Sequence, residues 1–201
     1  MDPDHKPSGI RMMRNRIRKF RKVAEEKLPS TPDNYKIINT FFEIMEFIHK
    51  NRWEGACHAT SAILFVLLKE QGIDAKLYIG ECQQGSFVFD HSWVEINRKV
   101  VDAAISKTSI QGMSFPPVLR NIDLVTGKKT KIIYGVHSGH GYDPIASTIR
   151  DLPLHMYMDI FPNHPNGLWG FVKEIGARLG IKTHLAKMKG KYGLTKWEEH
   201  S

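Results

Sequence analysis

The chain has 201 residues, of which 41% are hydrophobic and 25% are charged. This length allows one globular domain with its own core but not two large domains, and an aromatic content of 10% excludes disorder throughout. No apolar run approaches the roughly 20 residues of a membrane-spanning helix, and the opening residues MDPDHKP are not typical of a secretory signal. With only two cysteines, Cys57 and Cys82, the sequence predicts a soluble protein of a reducing, cytoplasmic compartment.

The net charge of +8 is concentrated at the two ends of the chain. Residues 1–28 have a net charge of +5 and residues 173–201 of +4, whereas the stretch between them is near neutral at −1. We therefore predict a basic N-terminal arm (1–33), a core (34–161) and a basic, helical C-terminal extension (162–201). The basic ends are either solvated surfaces or contacts for an anionic partner. A neutral core without aromatic residues interleaved on a basic strand argues against nucleic acid.

Helical periodicity dominates the first third of the chain. Apolar residues of IRMMRNRIRKFRKVAEEKL (10–28) fall on one stripe, which predicts a basic amphipathic helix. A Pro-rich break at 28–33 separates it from a second helix that ends near 50–53. The segment CHATSAILFVLLKEQG (57–72) is apolar almost all round, which predicts a buried helix with Gly72 as its stop.

After Gly72 the spacing of apolar residues changes to the two-residue period of strands. Residues 75–82, the alternating FVFDHSWVEI (87–96) and VVDAAI (100–105) are separated by short turns, which indicates an antiparallel meander. Farther along, we expect a hairpin around Thr126-Gly127-Lys128, partial helix over 145–161 with an interruption at Pro153, a helix over 168–180 and a loosely structured last twenty residues. The order of elements predicts an α+β fold.

Cys57, His91 and Asp102 form the most informative constellation. Cys57 lies at the predicted first turn of the buried helix, where exposed N–H groups and partial positive charge favour a thiolate. His91 and Asp102 lie on neighbouring strands of one predicted hairpin, where cross-strand neighbours are roughly 5 Å apart. A nucleophile, a base and an orienting carboxylate are the groups of covalent acyl chemistry. Taken singly, each has a structural alternative: a small core cysteine, a hydrogen-bonded histidine and an aspartate that closes a turn.

Three segments carry a resemblance to a known family. W-E-G-A-C-H-A-T-S-A-I-L-F-V-L-L-K-E-Q-G-I-D-A-K-L-Y-I-G-E (53–81), D-H-S-W-V-E-I (90–96) and V-V-D-A-A-I (100–105) resemble the core of the transglutaminase-like superfamily. Within it, the compact pattern is similar to bacterial leader peptidases of lasso-peptide biosynthesis and to small bacterial and viral transglutaminase-like proteins. It is less similar to arylamine N-acetyltransferases.

The resemblance implies a fold and a mechanism. The fold would be papain- or transglutaminase-like, with a catalytic helix packed on an antiparallel sheet and extra helices at both ends. Cys57 would be the nucleophile, His91 the general base and acid, and Asp102 its orienter. The expected activity is hydrolysis of a peptide or amide bond in a peptide or protein substrate through a thioester, as in a thiol protease. The alternatives are transfer to an amine acceptor, as in a transglutaminase or an N-acyltransferase, and a non-catalytic adaptor with basic arms.

Two further residues are candidates for an oxyanion hole. Asn51, six residues before Cys57, has the offset of the oxyanion-hole glutamine in papain-like proteases, and the indole N–H of Trp53 is a second possible donor. Both are also ordinary helix-end residues.

A zinc site is a competing interpretation of the same region. The sequence Cys57-His58, His91 and the pair His137/His140 offer ligand types, but no C-x-x-C or H-E-x-x-H spacing occurs. We therefore expect neither a metal ion nor a cofactor.

Overall fold

Along the chain, helices both precede and follow the main run of strands, an order that is consistent with an α+β fold. The structure, a computed structural model, describes residues 9–109, 113, 115–162 and 164–200. The helices are α1 (Gly9–Lys27), α2 (Pro32–Lys50), α3 (Cys57–Glu70), α4 (Pro144–Asp151), α5 (Leu154–Asp159), α6 (Gly167–Arg178) and α7 (Leu185–Tyr192), with a 3-10 helix at Ala104–Lys107. The strands are β1 (Ala75–Gln84), β2 (Phe87–Ile96), β3 (Lys99–Asp102), β4 (Val118–Leu119), β5 (Ile122–Asp123), β6 (Ile133–Val136) and β7 (Glu198–Glu199). Among the helices of these ranges, none is both long and apolar enough to cross a membrane.

The central helix α3 positions the first site residue. It packs on α2, α6 and one face of β1 and β2, and every residue from Ala59 to Leu68 is buried, as its all-round apolar sequence predicts. The chain leaves the helix through Gly72, whose φ of +78° is a conformation that favours glycine. Cys57 and His58, which precede the buried stretch, are partly exposed at the N-terminal end of the helix.

The strands form one sheet, in which the strands are between two and ten residues long. Its order is β5-β4-β3-β2-β1-β6, and β7 pairs with β1 in parallel. The meander β1-β2-β3 confirms the sequence prediction, and β2 has the predicted bounds 87–96. The two-residue turn Asn97-Arg98, with φ values of 51° and 58°, pairs Ile96 with Lys99 and fixes the register of the hairpin.

The sheet curls so that its edge strand β6 approaches β3. Tyr134 lies on β6, at one edge, and Asp102 lies on β3, with β1 and β2 between them in the strand order. The Tyr134 hydroxyl nevertheless donates to Asp102 over 2.9 Å. The inner face of this curl is filled by a second apolar cluster: Cys82, Trp93, Val100, Ile105, Phe115, Val118 and Ile132.

Two sequence predictions in the middle of the chain need correction. The third strand ends at Asp102 rather than at residue 105, because Asp102 Oδ1 accepts the N–H of Ile105 over 3.1 Å and starts the 3-10 helix. The next hairpin turns at Arg120-Asn121, both with positive φ, rather than around 126–128. The segment Thr126-Gly127-Lys128 forms a second turn, closed by the bridge between Ile122 and Lys129.

Residues 182–200, the described part of the last twenty residues, contain ordered elements, so the prediction of a loose structure was wrong there. They include α7 and β7, and the buried side chains of Met188, Tyr192 and Trp197 pack against the core. Lysines interleaved between these residues conceal the apolar spacing in the sequence. The other late predictions are confirmed: Pro153 separates α4 from α5, and α6 covers most of 168–180.

The N-terminal helix is docked on the core. Ile17, Phe20 and Ala24 of α1 are buried in the main apolar cluster, and α1 packs along α2. The predicted arm is therefore an integral helix over Gly9–Lys27, whereas residues 1–8, and Asn163 and Ser201 of the predicted extension, lie outside the described residues.

We expect Phe20→Ala to lower the free energy of unfolding by about 3–5 kcal/mol, because the ring is 7% exposed and its removal leaves a cavity between α1 and α2. Met12→Ala, at a position 55% exposed on the same helix, is the control and should change stability by less than about 0.5 kcal/mol. Urea unfolding measures both. Equal stability of the two variants would mean that α1 is not docked.

Candidate active site

Cys57 begins α3 at an uncapped helix end. The N-cap residue is Ala56, and no side chain among the described residues caps the first turn. The first N–H groups of a helix have no partner within it, so here they remain available to an incoming oxygen atom. The thiol is partly exposed. A nucleophile and free donors thus occupy the same helix end.

His91 and Asp102 form a buried pair on the inner face of the sheet. His91 Nε2 lies 2.7 Å from Asp102 Oδ2, and the two residues are 4% and 1% exposed. Because Val94 pairs with Val101, Asp102 lies diagonally across from His91 rather than directly opposite. Diagonal neighbours on one face remain within reach of long side chains. The second ring nitrogen of His91, Nδ1, is left for the thiol of Cys57, with which the ring is hydrogen-bonded.

Asp102 has two further donors that hold its carboxylate. The N–H of Ile105 donates to Oδ1 over 3.1 Å, and the hydroxyl of Tyr134 donates to Oδ2 over 2.9 Å. Burial and the nearby Asp102 raise the pKa of Tyr134 well above its usual value, so the hydroxyl keeps its proton. Tyr134 was not predicted as a site residue, because the sequence around it gives no indication that β6 lies near β3.

The pKa values of the thiol and of the His91 imidazole move in opposite directions. Burial would raise the pKa of Cys57, but the adjacent imidazoles of His58 and His91 outweigh it and hold that pKa well below the ordinary value. Burial would lower the pKa of His91, but the charge and hydrogen bond of Asp102, with a smaller contribution from Cys57, raise it to about 10. Both shifts favour the thiolate–imidazolium form of the pair.

The second cysteine has the opposite environment. Cys82 is fully buried on β1, and burial and the charge of Asp102 raise its pKa well above the ordinary value. The two thiols of this chain therefore differ in both access and acidity.

Neither of the two candidate oxyanion donors lines the cavity that contains Cys57. Asn51 is the exposed C-cap of α2, and its Nδ2 donates to the carbonyl of Phe47 over 2.9 Å. Trp53 lies in an aromatic cluster with Phe47, Phe161 and Phe171. Their predicted role therefore has no support from their positions.

A cavity of about 420 Å³ opens beside the thiol. Its lining includes the thiol and both imidazoles, of Cys57, His58 and His91, and the charged residues Lys107, Asp90 and Asp143. The two acidic residues are linked, since the N–H of Asp143 donates to Asp90 Oδ2 over 2.7 Å. The volume lies in the range of small-ligand pockets, and the cavity offers both signs of charge to a bound chain.

The described part of the chain contains no group of three His, Cys, Asp or Glu residues placed to hold a metal ion. The structure thus brings Cys57 and His91 together at one cavity, with Asp102 bonded to His91 outside the lining, while His137 and His140 lie on an exposed or partly exposed loop that is also outside it. Whether the three act as a triad stays a prediction.

Comparison with known proteins identifies the family. The model of the transglutaminase-like superfamily matches residues 7–112, which begin before α1 and include Cys57, His91 and Asp102. This match extends farther toward the N-terminus than the resemblance seen over 53–105. Neither the curated proteins nor the solved structures give a significant match, so the finer similarity to lasso-peptide leader peptidases stays a prediction. With more than half of its length matched, the chain belongs to the transglutaminase-like superfamily, which includes cysteine-dependent enzymes.

Proposed function

We propose that the protein is a cysteine-dependent acyl-transfer enzyme that hydrolyses a peptide or amide bond. The observation that carries the proposal is a thiol at an uncapped helix end, hydrogen-bonded to an imidazole that is itself held by a buried carboxylate. Membership of a superfamily with cysteine-dependent enzymes supports the same chemistry.

The first half of the reaction forms a thioester. The Cys57 thiolate attacks the carbonyl carbon, and the carbonyl π electrons move to oxygen. The free N–H groups at the start of α3 stabilise that oxyanion. As the tetrahedral intermediate collapses, the C–N bond breaks and the His91 imidazolium gives its proton to the leaving amine. The products are an acyl-enzyme and a free amine.

The second half returns the enzyme to its starting state. Neutral His91 takes a proton from water, the hydroxide attacks the thioester, and the C–S bond breaks to release a carboxylic acid and the thiolate. An amine in place of water would give transamidation by the same steps. We favour water because it requires no second substrate site.

The substrate we propose is a peptide or protein. The cavity is lined by Lys107 and by the acidic residues Asp90 and Asp143, which suits a chain that carries polar groups of both signs near the scissile bond. An anionic part of such a substrate could also contact α1. Its exposed cations that form no salt bridge within the described residues are Arg11, Arg14, Arg16, Arg18, Lys19 and Lys27.

We expect Cys57 to be alkylated by iodoacetamide at pH 6, because its lowered pKa maintains the thiolate below the free-cysteine pKa of about 8.5. Buried Cys82 is the internal control and should react only after unfolding. Peptide mapping by mass spectrometry measures both sites in one sample. Equal, slow labelling of the two thiols would count against an activated nucleophile.

A mass-spectrometric screen of a complex peptide mixture tests the activity itself. The native protein should generate new N-termini, and Cys57→Ala should abolish them, because no thioester can form. Cys82→Ala is the matched control and should retain activity. Added hydroxylamine should intercept the thioester as a hydroxamate. Identical cleavage by Cys57→Ala and the native protein would contradict the proposal.

The rate with a substrate found in this screen should fall on the alkaline side with a pKa of about 10, because deprotonated His91 cannot protonate the leaving amine. Asp102→Asn removes the charge that raises the pKa of His91, so this limb should move to lower pH. kcat should also drop by roughly 10²–10⁴-fold.

The control for this substitution is Asp123→Asn. Asp123 is a buried carboxylate that accepts the N–H groups of Val125 and Thr126, and it lies outside the site. Its pH profile should match that of the native protein. An unmoved alkaline limb in Asp102→Asn would contradict the role assigned to that carboxylate.

A further inference from the structure

A second imidazole lies against the nucleophile. His58 follows Cys57 directly in α3 and lines the same cavity as Cys57 and His91. The charge and hydrogen bond of His58 are the largest of the effects that lower the pKa of the Cys57 thiol. From the sequence, His58 was considered only as a possible metal ligand, and the proposed triad does not use it.

The ring of His58 is held in place by the sheet. His58 Nδ1 lies 2.7 Å from the hydroxyl of Ser92, a residue of β2 next to His91. Ser92 is fully buried, and its carbonyl accepts the hydroxyl of Ser61 from α3 over 2.8 Å. The ring is thus fixed between two packed elements and has little freedom to leave the thiol.

The Ser92 contact also determines which nitrogen can face the sulfur. Among the described residues, His58 is the one partner of the Ser92 hydroxyl. With Nδ1 occupied by Ser92, Nε2 is the nitrogen left for the sulfur, and it carries a proton when the ring is protonated and also when the hydroxyl donates to Nδ1. Nε2 is then the donor available to the thiolate. His91 is arranged in the reverse sense, because its Nε2 is bound to Asp102 and its Nδ1 is left for the thiol.

We propose that His58 is a second catalytic histidine that holds the Cys57 thiolate, while His91 carries the proton transfers. The division has a chemical reason: His91 must give its proton to the leaving amine, and a donor that does not take part in that transfer continues to stabilise the sulfur when it leaves again as a thiolate. This inference rests on the proposed function, since it assigns a role at the same nucleophile.

Other titratable groups also surround the thiol and must be kept constant in a test. His91 and Asp90 on β2, Lys107 on the 3-10 helix and Asp143 before α4 line its cavity. Cys82 on β1 and Tyr157 on α5 lie near enough to interact with the charge of Cys57. Asp102 on β3 and Tyr134 on β6 act on it through His91. Single substitutions at His58 leave all of them in place.

The test is the pH dependence of Cys57 alkylation in the full chain, measured for the native protein, His58→Leu and His91→Gln. Loss of His58 should raise the apparent thiol pKa by about one unit or more, which slows alkylation at pH 6 by roughly tenfold. His91→Gln should leave the thiol pKa below the free-cysteine value of about 8.5, because His58 still holds the sulfur. His140→Leu, at an exposed imidazole on the loop before α4, is the matched control and should not shift the profile.

Ser92→Ala provides a second arm that leaves both histidines intact. It should raise the thiol pKa by less than His58→Leu does, because the ring remains but loses its anchor. His58→Gln retains a neutral donor and should give a shift smaller than that of the leucine variant. These two variants decide the question if His58→Leu does not give a native circular dichroism spectrum.

The outcomes separate this inference from the proposed function. A native profile with a pKa near 8.5 would contradict the activated nucleophile itself. A low native pKa that neither His58 substitution changes would overturn the role of His58 alone. The same holds if His91→Gln by itself raises the thiol pKa to the free-cysteine value.

Discussion

The buried contact between His91 and Asp102 is the interaction on which the rest of the site depends. Both side chains are almost fully buried and 2.7 Å apart. A buried charge is costly unless it is paired and hydrogen-bonded. Asp102 meets this condition with three donors from three parts of the fold: His91 on β2, Ile105 on the 3-10 helix and Tyr134 on β6. The curl of the sheet brings these donors together, so the fold and the charge state of the imidazole are coupled.

The helix α3 supplies the other half of the site. Its apolar sequence requires burial. Its packing against the sheet places the sulfur of Cys57, at the N-terminal end of the helix, beside His91 on β2. The first residues of the helix then offer two things at once, a thiol and N–H groups without partners. His58, the residue after the nucleophile, adds an imidazole as a third group, and its ring contacts Ser92 on β2. One packing contact, α3 on β2, thus arranges most of the chemistry.

Local patterns in the sequence were sufficient to predict the meander, the buried helix and the cross-strand proximity of His91 and Asp102, because each rests on short-range periodicity and a two-residue turn. The approach of Cys57 to His91 was expected from the resemblance to the transglutaminase-like superfamily. The position of Tyr134 could not be predicted, since it depends on how far the sheet curls. Asn51 was expected near the thiol from its offset alone. An asparagine at a helix end instead bonds the carbonyl four residues back, as it does here with Phe47. The ordered C-terminus was missed because lysines separate Met188, Tyr192 and Trp197.

The protonation state of His91 is the most direct measure of this account. NMR of the histidine-labelled protein, with His91 assigned by loss of its signal in His91→Gln, reports whether both ring nitrogens carry protons. The account predicts an imidazolium across neutral pH that titrates near 10. A ring that loses its proton near the ordinary histidine pKa of about 6.5 would contradict it, because Asp102 would then not be sustaining a charged partner beside the thiol.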